Sequence, residues 1–240
     1  MKNIISFSLF GTDKLYYAGA LQNLKCQAEI YPDWVCRFYV DKNIPESLIN
    51  ELRAGGAEVV FGSDILPLED RHFVKTIWRF LPALDPDVSI FIVRDTDSRL
   101  GWREQAAVKE WLSSGKGFHI MRDNPQHTKR MMAGMWGCRS EYLKHVNVLI
   151  AGHSFTDAFG NDQRFLEECI YPLAIQDCLV HTSGVKYAGE TIREFPQHPS
   201  DPVIRYVGAQ IGADERPLIE TLEQRKLRSI NGKRYLKFTG

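Results

Sequence analysis

The sequence has no surplus of either charge: 30 Lys and Arg stand against 30 Asp and Glu. A chain so balanced carries no global field to draw it to nucleic acid or to an anionic membrane surface, so any charge that matters is local. Cysteine is sparse as well. Cys26, Cys36, Cys138, Cys169 and Cys178 lie far apart, odd in number and without a C-x-x-C pair. That argues against a disulfide framework and suits a reducing, cytoplasmic setting. Long apolar runs are missing too. The stretch from Ile4 to Phe10 is broken by Ser6 and Ser8 and stops at Gly11-Thr12-Asp13-Lys14, far short of a membrane span and unlike a signal peptide. No internal repeat, low-complexity tract or clear linker divides the chain.

What is present is enough apolar material, 44% of 240 residues, to bury the core of one domain. Ile5, Phe7 and Leu9 alternate with serines, which is strand periodicity, and Gly11-Thr12-Asp13 turns the chain. Further β-rich runs lie at Val35 to Val40, Ala57 to Phe61, Ser89 to Val93, Phe118 to Met121 and Val146 to Ala151. Helices fit between many of them. Pro45-Glu46 opens one that Gly55-Gly56 ends. Phe73, Ile77, Phe80 and Leu84 space another, which Pro82 should end or kink near Leu81. Ala107 to Leu112 form a third stripe, closed by Ser113-Ser114-Gly115, and Phe165 to Leu173 a fourth. Strands alternating with helices predict an α/β fold around a mainly parallel sheet, with ligands at the carboxyl ends of its strands. The expected organisation is one domain over 1–240. A C-terminal extension at about 215–240 would pair a helix over Pro217 to Leu227 with an Asn231-Gly232 hairpin.

The strongest chemical signal is Ser89-Ile90-Phe91-Ile92-Val93-Arg94-Asp95-Thr96-Asp97-Ser98. In extended backbone, residues i and i+2 share a face, so Asp95 and Asp97 would converge on one small volume. Two like charges there call for a cation. Mg²⁺ or Mn²⁺, held by one or two carboxylates, keeps open positions for the oxygens of a diphosphate. The competing reading of Asp-x-Asp is a solvated loop pair or a helix cap.

Arg79-Phe80-Leu81-Pro82-Ala83-Leu84, then Asp85-Pro86-Asp87, then the strand into Asp95-Thr96-Asp97, resembles the pattern of GT-A glycosyltransferases such as glycogenin and the bacterial lipopolysaccharide galactosyltransferases. The likeness implies a GT-A, Rossmann-like fold, with Asp95 and Asp97 as metal ligands. Arg79 would lie near the donor or brace the acidic loop, an ordinary salt bridge being the alternative, and Arg94 counts among the donor-binding cations. Gly160-Asn161-Asp162-Gln163 is similar to the Asp-Gln pair that approaches the donor sugar, so Asp162 and Gln163 are the catalytic candidates. Asn161 would otherwise be an N-cap, with Asp162 in the first helical turn. His181-Thr182-Ser183-Gly184-Val185-Lys186 is similar, one residue short, to a His-x-x-Gly-x-x-Lys segment. There His181 would complete the metal site and Lys186 touch the diphosphate.

Arg103 to Leu112, Phe118 to Pro125 and Gly134-Met135-Trp136-Gly137 look like blocks of uncharacterised bacterial GT-A proteins of surface-polysaccharide loci. Gly134 and Gly137 would let backbone approach a substrate, and Trp136 offers a ring face to a sugar. Arg122 and Asp123 are candidates for hydroxyl contacts, and Arg103 for phosphate. The turn after the first strand, Ser8, Phe10, Gly11 and Thr12, is where the family holds base and ribose. The expected partners are therefore a nucleotide-sugar donor and a sugar or glycan acceptor. Two other readings stand beside transfer. One is a phosphohydrolase of the haloacid dehalogenase type with Asp95 as nucleophile, although its Asp-x-Asp follows a first strand and not a fourth. The other is a catalytically silent scaffold.

Overall fold

The computed structural model describes residues 1–67, 72–156, 158–197, 206–212 and 214–218. The expected C-terminal helix and hairpin fall almost wholly outside them. Strands β1 (Lys2–Leu9), β2 (Val35–Val40), β3 (Glu58–Phe61), β4 (Val88–Arg94), β5 (Phe118–Arg122), β6 (Met135–Arg139), β7 (Cys178–Thr182) and β8 (Thr191–Arg193) form one sheet. Their order is β3-β2-β1-β4-β6-β5-β7-β8. All neighbours pair parallel except β6, which runs against both β4 and β5. The mainly parallel α/β expectation therefore holds.

Alternation along the strands sorts the core into two layers. Ile5, Phe7 and Leu9 pack with Phe38, Ile92, Leu179 and the helices α1 (Lys14–Ile30) and α2 (Glu46–Ala54). Ile4, Phe91, Val93, Phe118, Ile120 and Val180 face the other way, onto the 3-10 segment His72–Leu84 and the later helices. A short α3 (Gly62–Ile65) follows β3, and α4 (Trp102–Ser114) ends at Gly115, whose φ of 73° is the left-handed cap expected of glycine.

Three local expectations give way. Pro82 does not end its helix, which runs on to Leu84 as a 3-10 helix. The reason is legible in Val74, Ile77, Phe80 and Ala83, all buried at intervals of three, the repeat of that helix. Val146–Gly152 is a helix, α5, and not a strand. Val146 and Ile150 are buried while Val148 is 63% exposed, so the run obeys an i, i+4 rule that alternation would violate. The Gly134-Met135-Trp136-Gly137 stretch, expected to present backbone and a ring face to a substrate, runs instead into β6, which begins at Met135.

After α5 the chain forms α6 (Asn161–Phe165), a π-helical turn at Leu166–Ile170, and α7 (Tyr171–Ala174). Gly160, not Asn161, caps α6, and the Asn161 amide closes the preceding loop on the Thr156 and Ala158 carbonyls. Asp162 does occupy the first turn, where the helix dipole favours its charge.

Candidate active site

The site begins where β4 stops. Because Phe91 and Val93 face one layer and Ile92 the other, the next two residues part company. Arg94 turns toward α4. Its Nη2 lies 2.8 Å from Glu104 Oε2, an ion pair without hydrogen-bond alignment, and its Nη1 donates to the Gly134 carbonyl at 2.9 Å. Both side chains are fully buried, so Arg94 braces the loop before β6 and does not meet a donor.

Asp95 turns the other way, to Arg79 on the 3-10 segment. One arm of that guanidinium binds Asp95 Oδ1 and the other Asp162 Oδ2 at 2.5 Å. The Arg79 backbone N–H donates to Ser8 Oγ at 3.0 Å, and Ser8 Oγ donates to the Thr76 carbonyl. Burial alone would lower the pKa of Arg79, but the two carboxylates outweigh it and hold the group above its ordinary value. Ser8, Arg79, Asp95 and Asp162, from four separate parts of the sequence, thus meet at one point. Asp95 is 46% exposed and Asp162 10%.

Asp97 behaves differently from the expectation. Extended backbone ends at Arg94, and Asp95 to Ser98 form a turn closed by the Ser98 N–H and hydroxyl on the Asp95 carbonyl. The i, i+2 rule no longer applies there. Asp97 is buried, its Oδ2 accepting from Gln210 Nε2 at 2.8 Å and its carbonyl from the Ile211 N–H at 2.7 Å. The turn rides on α1. Asn23 bonds the Ser98 carbonyl and the Leu100 N–H, and a Cβ at Gly19 would sit 2.0 Å from the Thr96 carbonyl oxygen. Gly134 performs the same service from above, since a Cβ there would meet Asp95 Oδ2 at 2.0 Å.

His181 is not part of this group. On β7 it shares a face with Leu179 and points to α4, where Nδ1 lies 2.8 Å from His119 Nε2 and Nε2 lies 3.1 Å from Glu110. Burial keeps both imidazoles below their ordinary pKa, His119 well below. Among the described residues no three His, Cys, Asp or Glu side chains are placed to hold a metal ion. Lys186, five residues on, is exposed on the loop beyond β7.

Other candidates turn inward. Trp136 is fully buried between Phe80 and Phe91, edge to face with each, so it is core and not a sugar platform. Gly137 makes room for Ile92 and Trp111, not for a substrate. Gln163 commits both ends of its amide to the loop before β6, accepting from the Ala133 N–H and donating to the Met131 carbonyl. Arg122 is buried against Glu190, and Arg103 grips Asp123 at 2.7 and 2.8 Å. The turn after β1 stays at the carboxyl edge: Gly11 has φ 81°, and its carbonyl accepts from Tyr17 at 2.7 Å. Asp13 caps α1 through the Leu15 N–H.

Sequence reasoning passed over Tyr17 and Gln210, gave Glu104 no role, and offered Asp123 to substrate hydroxyls and not to the protein. Asp123 gathers Arg103, Ser183 and the Val207 N–H, and Gln210 reaches Asp97 from 113 residues away. No local pattern announces such a partner.

No protein-family model and no curated protein matches the chain. Solved structures do. Glucosyl-3-phosphoglycerate synthase of Mycobacterium tuberculosis is similar at a TM-score of 0.50 with 14% identity, over 83% of this chain and 74% of that one. The same enzyme in complex with Mn²⁺, uridine diphosphate and glucosyl-3-phosphoglycerate matches at 0.48 and 16%, over 83% and 74%. A glycosyltransferase involved in glycosylation of the major capsid of PBCV-1 matches at 0.46 and 14%, over 76% and 82%. The likeness carries the fold, the GT-A arrangement of a mainly parallel sheet with flanking helices.

Proposed function

We propose that this chain is a metal-dependent glycosyltransferase that takes a sugar from a nucleotide-diphosphate donor. The observation that carries the reading is the meeting of Asp95, Arg79 and Asp162 at the carboxyl end of β4, beside the turn after β1. That edge is where an open α/β sheet holds its ligand.

The residues that would hold a divalent cation are Asp95, half exposed, and Asp97, whose hard carboxylate oxygens bind Arg79 and Gln210 in this structure. Such an ion, Mn²⁺ or Mg²⁺, supplies Lewis acidity that offsets charge on the departing nucleoside diphosphate. The chain's own residues do the rest. Arg79 holds Asp95 and Asp162 fixed in orientation. Asp162, at the start of α6, hydrogen-bonds hydroxyls of the donor sugar, while Gln163 holds the loop that ends at Gly134. Phe10 to Thr12 receive base and ribose, and Lys186 approaches the diphosphate from the outer loop. The likeness to glycogenin and the lipopolysaccharide galactosyltransferases supports these roles at the motifs that match.

Titrating uridine and guanosine diphosphates by calorimetry, with and without Mn²⁺, tests the proposal. Binding that needs the metal and disappears in Asp97→Ala supports it. Metal-independent binding, or phosphate release from simple phosphomonoesters in its place, would sink it.

A further inference from the structure

We propose that Arg130 is the centre of an anion-binding subsite, and that the acceptor brings a carboxylate or phosphate to it; giving the anion to the acceptor rests on the glycosyl-transfer reading above. β6 runs against both β4 and β5, and β5 pairs parallel with β7, so β4, β5 and β7 all end at one edge. The loops after β5 and β7 thus lie on the side of the Asp95, Arg79 and Asp162 group away from β1. With base and ribose at the turn after β1 and the diphosphate at the end of β4, the sugar to be transferred points toward those loops. The acceptor has to approach over them.

Arg130 sits in the loop after β5, one residue before the Met131 carbonyl that the Gln163 amide holds. Since Gln163 follows Asp162, this loop is tied directly beside the candidate sugar contact. Arg130 is exposed, and its guanidinium rests against Tyr171 and Tyr187, 5.4 and 5.7 Å from their ring centroids. Both rings are fixed from the interior side by the fully buried pair Arg122 and Glu190. Glu190 Oε1 accepts from the Tyr171 hydroxyl at 3.1 Å, and Oε2 accepts from the Tyr187 N–H at 3.2 Å. Arg122 Nη1 also donates to the carbonyl of Arg130 itself. Rings, backbone and guanidinium are therefore set by one buried ion pair.

The charge of Arg130 is left over. Glu190 is engaged by Arg122, and Glu167 lies 3.5 Å from Lys129. Among the described residues no carboxylate pairs with Arg130, whose guanidinium is held by ring faces alone. A guanidinium held by its flat face keeps its N–H edge for a ligand, and that edge matches the two oxygens of a carboxylate or phosphate. A free surface arginine loses rotamer freedom on meeting an anion. This one is oriented beforehand, so less is lost.

The probes are glucose, glucuronate and glucose 6-phosphate, which share a ring and differ in charge, titrated into the whole chain by calorimetry and followed at the Tyr187 N–H signal. One or both anions should bind and shift that signal while glucose does neither, and the anion that binds tells carboxylate from phosphate. Arg130→Met should weaken the anion about tenfold, the loss of a charge-assisted hydrogen bond, and Arg130→Lys should weaken it less. Uridine diphosphate should bind wild type and both variants alike. Glucose binding as tightly as the anions, or anion binding unchanged in Arg130→Met, overturns the inference. So does loss of uridine diphosphate in Arg130→Met, which assigns Arg130 to the donor. If wild type binds nucleotide but neither anion, the subsite falls alone. If it binds an anion through Arg130 but no nucleotide, the subsite stands and the glycosyl-transfer reading falls.

Discussion

Replacing Arg79 by methionine should be among the most damaging single changes at the carboxyl edge. The guanidinium is buried and joins two carboxylates that have no sequence proximity. Removing one partner of a buried ion pair costs about 3–5 kcal/mol, because the other charge is left stranded. Asp95 is 46% exposed, so water replaces much of its lost partner and its share is discounted, whereas Asp162 at 10% keeps most of its own. An overall loss of about 3 kcal/mol follows. With a urea slope of about 3 kcal/mol per molar, the unfolding midpoint should fall by about 1 M. Adding Asp162→Asn to Arg79→Met removes the stranded charge and should return about half of the loss, a coupling that a double-mutant cycle isolates. A cost below about 1 kcal/mol, or an Asp162→Asn effect that simply adds, would refute the claim that one guanidinium serves both carboxylates.

Gly134→Ala forces a Cβ onto Asp95 Oδ2; it should destabilise by about 1–3 kcal/mol and weaken Mn²⁺-dependent nucleotide binding, and an Ala variant that binds normally would contradict the packing. Trp136→Ala should cost about 3–5 kcal/mol in chemical denaturation yet leave nucleotide affinity intact wherever the chain remains folded, as expected of a core side chain. His119, neutral in the fold because burial depresses its pKa from about 6.5, binds protons more readily when unfolded. Stability should therefore be level above pH 6.5 and decline as pH falls below it, by at most about 2 kcal/mol at pH 5 from this group. His119→Phe should flatten that decline in urea titrations, and an unaltered slope would count against it.

How much of this was legible beforehand varied with the range of the interaction. β1, β2, β4 and β5 were read because each is a run of alternating or apolar residues bounded by turn signals, and α2 and α4 because proline and glycine punctuate them. β6 was lost because Gly134 and Gly137 look like loop glycines. In fact Gly137 is a strand residue stripped of its side chain to admit Trp111. Arg79 and Asp95 were chosen from one pattern and Asp162 from another, and the three do meet. His181 was chosen from a segment similar to a family motif and Trp136 for its ring between two glycines, yet strand parity sends one to α4 and the other into the core. Gln210 left no trace at all, since its significance lies in a fold-back of more than a hundred residues.

The reversed strand also dictates an order of assembly. β3, β2, β1 and β4 lie within the first 94 residues and contact one another directly, so that half of the sheet can close as soon as it leaves the ribosome. β5 follows in the chain but touches β4 only through β6, which is synthesised after it. For that interval β5 and the outer side of β4 are open edges, and open edges recruit other chains. A released polypeptide truncated between residues 122 and 135, with β5 present and β6 absent, should therefore self-associate more readily than the full chain.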